Sequence, residues 1–219
     1  MFKSIRIALQ KRKQICIPSI YKQVVLIGGL IVLMIIIAYF LSPSHNRYRQ
    51  FTREPGVITL CSALFLATAG VLAARSFSIS RHNTLWIRSF WLLAAIVLVF
   101  FATDELLQFH EEMGKWITES SIGDPGIFRN WNDVIVISYG AVALVALILF
   151  LPVILRYPLF TEALGLAFAF YCIHTLIDST VQPWTTWSAI CEESAKLMST
   201  GALAVSMWIG LLGVKAGRA

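Results

Sequence analysis

The apolar run Val24–Leu41 is the first of about six such stretches in the chain, and stretches of this length leave few folds open. A bilayer's hydrocarbon core, about 30 Å thick, takes roughly 20 residues of α-helix to cross. Inside it every backbone N–H and C=O has to find its partner within the protein, which a helix does locally and an open sheet cannot do at all. The remaining stretches are Val57–Ala74, Trp86–Phe109, Asp133–Leu151, Phe160–Thr180 and Ile190–Leu212. With 58% hydrophobic residues, 14% charged ones and a mean hydropathy of +0.74, the composition also lies outside that of soluble domains. The sequence therefore predicts an all-α polytopic membrane protein, a bundle of about six transmembrane helices. Residues 1–22 read as a basic cytoplasmic tail, 23–214 as a single transmembrane domain and 215–219 as a second cytoplasmic tail.

Val24–Leu41 is too long for the apolar region of a typical signal peptide and runs into Ser-Pro-Ser-His rather than a small-residue cleavage site, so it reads as a retained span. The net charge of +6 sits in the N-terminal tail and in short loops beside apolar spans, where basic residues meet anionic lipid headgroups. No polar basic domain exists to carry a nucleic acid, so membrane lipid is the expected partner. The four cysteines form no CxxC pair and read as small apolar residues in packed helices. Ala63, Ala67, Gly70 and Ala74 fall at helical spacing on the second span, a stripe that would let another helix come close.

Cytoplasmic loops retain lysine and arginine during insertion. With both termini inside, the basic residues divide 11 to 5, the inner set being six in the tail with Arg75, Arg81, Arg156, Lys215 and Arg218, and the outer set Arg47, Arg49, Arg53, Lys115 and Arg129. Short loops and a basic tail favour a bacterial inner membrane.

Against this apolar background Phe101–Glu112 stands out, because it carries a span directly into Asp104, Glu105, His110, Glu111 and Glu112. An ionisable side chain near the centre of a membrane helix costs about 3 kcal/mol on insertion scales, so such groups persist where they find partners or have a task. Chain direction places them at the outer end of the third span, with Asp133 at the outer start of the fourth. His174 and Asp178 close the fifth span, and Glu192, Glu193 and Lys196 open the sixth. Eight of the twelve acidic residues and two of the four histidines thus lie toward one leaflet, which predicts a single cluster. Helical spacing puts Asp104, Gln108 and Glu111 on one stripe, pairs His174 with Asp178, and lets both Glu192 and Glu193 reach Lys196. His110 projects from another side of its helix and joins Asp104 only if the helix kinks. Trp116, Trp131, Trp184 and Trp187 flank the same ends as an interfacial belt.

Carboxylates and histidines converging from several helices are the ligand types of iron or manganese bundles, but the paired Glu-x-x-His motif of those sites is absent. Zinc held by His110, His174 and one carboxylate is a further reading, although no HExxH accompanies it. A transport pathway would need polar groups toward the inner leaflet, where the chain offers little. The residues leave open an enzyme and a non-catalytic accessory or structural subunit whose charges are interhelical pairs, and no catalytic residue can be named. The expectation is a polar pocket near the outer (periplasmic) leaflet between the third, fifth and sixth spans, holding a divalent zinc, iron or manganese ion. Its ligands would be Asp104, Glu111, His174, Asp178 and Glu193, with His110 as ligand or supporting partner. Glu105, Asp133, Glu192 and Lys196 would supply the surrounding polar contacts, and a lipid-like substrate would enter laterally.

The combination Asp104-Glu105-x4-His110-Glu111, Asp178 and Glu192-Glu193-x-x-Lys196 resembles a pattern found in uncharacterised multi-pass bacterial membrane proteins. The resemblance covers the third to sixth spans and implies that these residues belong to one unit; it brings no established activity. Integral-membrane hydrolases of the ceramidase type, which also hold zinc ligands near one leaflet, offer an analogy only if His45 folds back to complete a set of three histidines.

Overall fold

The computed structural model describes residues 18–41, 56–120, 123, 125–128, 130–157, 159–181 and 185–217. Residues 1–17 of the basic tail, the loop after the first expected span with His45, Arg47, Arg49 and Arg53, and Arg129, Trp184 and Arg218 lie outside the described residues. Among the described residues the protein is helical and contains no strand. Its elements are α1 (Pro18–Leu41), α2 (Val57–Ile79, extended by a 3-10 turn Ser80–His82), α3 (Leu85–Leu107), α4 (Phe109–Glu119), α5 (Trp131–Leu149), α6 (Leu151–Ile154), α7 (Phe160–Thr180) and α8 (Thr186–Lys215).

Five helices, α2, α3, α5, α7 and α8, are long and apolar enough to cross a membrane. In α1 the described apolar stretch, Val25–Ile37, is shorter, so length and composition support five spans among the described residues where about six were expected. The fifth expected stretch, Phe160–Thr180, coincides with α7 at both ends. The sixth starts earlier than its hydropathy suggests. Thr185 and Ser188 form a capping box that satisfies the first N–H groups of α8 and lets it run for 30 residues, about 45 Å.

The third stretch ends at Leu107 rather than Phe109. Beyond it, where a polar loop was expected from Gly114, the chain forms the separate helix α4.

α8 is the spine of the fold. It packs lengthwise against α7 and α2 and more briefly against α1, while α2 packs in turn against α3. The resulting order, α3–α2–α8–α7–α5, is an arc whose free ends are α3 and α5. In a lipid environment such contacts rest on van der Waals fit rather than on the exclusion of water, so small residues mark them. On α2 the buried set is Ser62, Leu66, Ala69, Ala73 and Ser76, spaced to keep one face on α8, and Thr200 of α8 reaches Ser62 at 3.5 Å. Ala63 and Gly70 of the expected stripe are buried, but Ala67 and Ala74 are exposed. The reason is that α2 lies between two neighbours: Gly70 faces Val99 of α3, where an added Cβ would come within 2.9 Å of that side chain. Cys61 is half-buried and Cys172 and Cys191 are exposed, so the latter two are not the packed residues expected.

Two short elements close the arc's ends. α6 touches α3 at the end marked by a buried aromatic group, in which the Trp91, Tyr157 and Phe160 rings stand 5.6–5.9 Å apart. At the opposite end α4 lies along α5. Gly114 makes that approach possible, since any Cβ there would collide with Asn132.

Candidate functional site

The arc encloses a cavity of about 870 Å³. Its walls are apolar over most of their height, from Phe90 on α3, Phe150 and Met207 at one end upward past Val97 and Ala143. Its other end is polar. All ten site residues read from the sequence line it: Asp104, Glu105, His110 and Glu111 from α3 and α4, Asp133 from α5, His174 and Asp178 from α7, and Glu192, Glu193 and Lys196 from α8.

Lys196 is the buried cation of the group. Its ammonium donates to Glu193 Oε1 at 3.1 Å, lies 3.0 Å from Glu193 Oε2, and reaches Glu105 Oε1 of α3 at 3.3 Å. It thereby joins α8 to α3. His174 Nδ1 lies 2.7 Å from Glu192 Oε1 on the facing helix, so an acid of α8 meets the histidine. Glu105 Oε1, Glu193 Oε2 and His174 Nδ1 are buried and stand at ion-pair distance without an aligned hydrogen bond.

The expected stripe Asp104–Gln108–Glu111 is broken by the backbone. Gln108 takes a left-handed conformation, φ 55°, a strain of about 1–2 kcal/mol for a residue that is not glycine. The break turns α4 away and brings His110 back onto Asp104, the kink on which their meeting depended. Asp104 Oδ1 accepts the His110 backbone N–H at 3.0 Å, and Oδ2 lies 2.9 Å from His110 Nδ1. One carboxylate near the end of α3 thus caps α4 and holds its first imidazole. Gln108 Nε2 donates to Glu111 Oε1 at 3.3 Å. Asp133 has a structural task as well: its carboxylate accepts the Asn130 N–H while Asn130 Oδ1 accepts the Asp133 N–H, a capping box that starts α5.

Burial of His110 alone would lower its pKa, but the hydrogen bond and charge of Asp104, with Glu111 and Glu105 behind it, raise it above the ordinary 6.5. The pair is therefore strongest when His110 is protonated. Its stabilisation of docked α4 is complete below about pH 6.5 and is lost as the pH rises through the elevated value. Hydrogen exchange over residues 109–119, corrected for intrinsic rates, should show protection falling across that window. Protection that is flat or increasing with pH would contradict the assignment.

Among the described residues, no group of three or more His, Cys, Asp and Glu side chains is gathered so that it could hold a metal ion. Asp104, Glu111, His174, Asp178, Glu193 and His110 share a cavity but not a ligand shell. The physical reason is that Asp104 is taken up by His110, Glu193 by Lys196 and His174 by Glu192. Even so, seven carboxylates face one lysine and two histidines across the cavity's polar end. Negative charge remains in excess with both imidazoles protonated, which favours a cation or protonated acids.

The sequence reading missed several polar residues that line the cavity. Tyr171 and Ser199 stand one turn from His174 and Lys196, so extending the helical spacing would have found them. Tyr139 is too far from Asp133 to be reached that way. Tyr171 donates to the Val136 carbonyl across the α5–α7 crossing. Gly140 allows that approach, because an added Cβ would come within 2.6 Å of the tyrosine ring. Of the four tryptophans of the expected belt, Trp116 and Trp187 are strongly exposed and Trp131 is half-buried.

Residues 21–211 match a family model described as Domain of unknown function (DUF8692). No curated protein and no solved structure matches the chain.

Proposed function

This chain belongs to the DUF8692 family, and we propose that it is a multi-pass membrane protein that binds a lipid-like amphiphile within its helical arc. One observation carries the reading: a single cavity joins apolar walls running along the membrane-length helices to an acid-rich end built from four of them and α4. A hydrocarbon chain suits the first part. A polar head suits the second, and the surplus of carboxylates selects one that is positively charged or rich in hydrogen-bond donors. With the N-terminus on the cytoplasmic side, the polar end lies toward the outer leaflet of a bacterial inner membrane. A divalent cation is the second reading, favoured by the same charge excess; it would bind beside the existing ion pairs rather than within a ready-made shell.

The test is to purify the full chain in detergent, extract it with organic solvent and identify bound molecules by mass spectrometry, with elemental analysis on the same sample. Near-stoichiometric amphiphile is expected in the wild type. Ala143→Trp, which fills the cavity wall, should reduce it strongly while leaving the helical content unchanged. Equal retention by both proteins would refute binding in the cavity, and stoichiometric metal without amphiphile would shift the function to the cation.

A further inference from the structure

The helical arc is unpacked between its ends, and its α5–α7 crossing is the sparsest of its packed contacts. α3 packs on α2, and α5 packs on α4 and α7, but α3 and α5 do not form a packed helix pair. What spans the gap is aromatic. The Phe100 and Phe101 rings meet the Tyr139 ring at 5.8 and 5.7 Å. On both sides of the gap, residues that line the cavity are also open to the outside: Leu93 and Phe100 are 40% and 42% exposed, and Val142 is 70% exposed. The cavity lining thus shares residues with the outer surface on both sides of this seam, midway along the membrane-length helices.

α5 is suited to be the movable side, having the smallest buried share of the five membrane-length helices. Its ends are tied, by Asn132 against Gly114 of α4 and by α6 against α3, so the opening is a slot between two fixed points.

We propose that the α3–α5 seam is a lateral portal through which one hydrocarbon chain of a long-chain amine amphiphile passes from the bilayer into the cavity, with the Phe100–Tyr139 contact as its gate. The proposal rests on the amphiphile-binding reading above and adds the ligand's charge and route. From Phe90 to Asp104 the α3 wall of the cavity rises about 21 Å at 1.5 Å per residue, a height that suits one extended chain with its head at the carboxylates. The charge of the head follows from the acid excess at that end, where seven carboxylates line the cavity beside one lysine and two histidines. An anionic head would meet more carboxylates than bases.

The experiment uses the full chain with its native cysteines replaced by serine and with Phe100→Cys and Tyr139→Cys. A reversible bis-methanethiosulfonate linker closes the pair, and a photoactivatable hexadecylamine is offered in detergent. Labelling of cavity residues is expected in the open protein, loss of labelling to background when the linker is in place, and recovery after reduction. Hexadecanol and palmitic acid analogues should label weakly. Circular dichroism and a monodisperse elution profile show that the closed form remains folded. Undiminished labelling of the closed form would overturn the portal while leaving amphiphile binding standing. Equal labelling by the palmitic acid analogue would overturn the amine head, and no labelling of the open protein by any probe would overturn both the portal and the binding on which it rests.

Discussion

Replacement of Lys196 by methionine is expected to destabilise the protein by about 3–5 kcal/mol, the range for removing one partner of a buried ion pair. The lysine is 8% exposed and Glu193 only 3%, so Glu193 is left with little access to bulk water when the ammonium is gone. Because Lys196 connects α8 to α3 through Glu105, the loss also loosens one side of the arc. The midpoint of thermal unfolding in detergent should fall accordingly. Neutralising the partners together, in Lys196→Met with Glu193→Gln and Glu105→Gln, should recover most of the loss, since the cost lies in the abandoned charges rather than in the missing contact. A single variant as stable as the wild type would show that this group carries no structural load.

Asp104→Ala should act more locally, at about 2–4 kcal/mol, because one side chain does two jobs. It supplies the cap on the His110 N–H, a contact of about 1 kcal/mol, and the charged partner of the imidazole, a hydrogen bond of about 1.5–3 kcal/mol. Without it the left-handed Gln108 has lost what held it, and α4 should detach from α5, leaving the polar end of the cavity open. Hydrogen exchange over residues 109–119 should rise sharply in Asp104→Ala. His110→Ala, which keeps the backbone cap, should show a smaller rise. Equal effects in the two variants would place the whole stabilisation in the ring contact and refute the dual role.

These two carboxylate systems also show how far the site could be read in advance. That Asp104, Glu105, His174, Asp178, Glu192 and Lys196 would gather at one end follows from chain direction once the spans are known. Which acid meets which base does not. Glu192 and Glu193 both have helical spacing to Lys196, but that spacing does not reveal that Glu192 also lies against His174, which α7 brings to its side of α8. The break at Gln108 was equally hidden: no glycine or proline marks it, and the stripe Asp104–Gln108–Glu111 looks continuous. A side chain six residues upstream of its imidazole partner made the turn, and only the folded contact reveals it.

The apolar runs and the side chains within them are local properties, and they were sufficient for the all-helical class, for the bounds of α7, and for locating the polar groups at one end of the helices. A run of about 20 apolar residues has one good backbone solution in lipid whatever surrounds it. Neighbour relations are different, because each depends on several helices at once. Ala67 and Ala74 share the composition of Ala63 and Gly70 but face outward, since α2 is placed between α8 and α3. The ion-pair partners, the turn into α4 and the unpacked seam between α3 and α5 arise in the same way. They depend on which surfaces fit closely enough to gain van der Waals contact, a choice made between whole helices and not within any one of them.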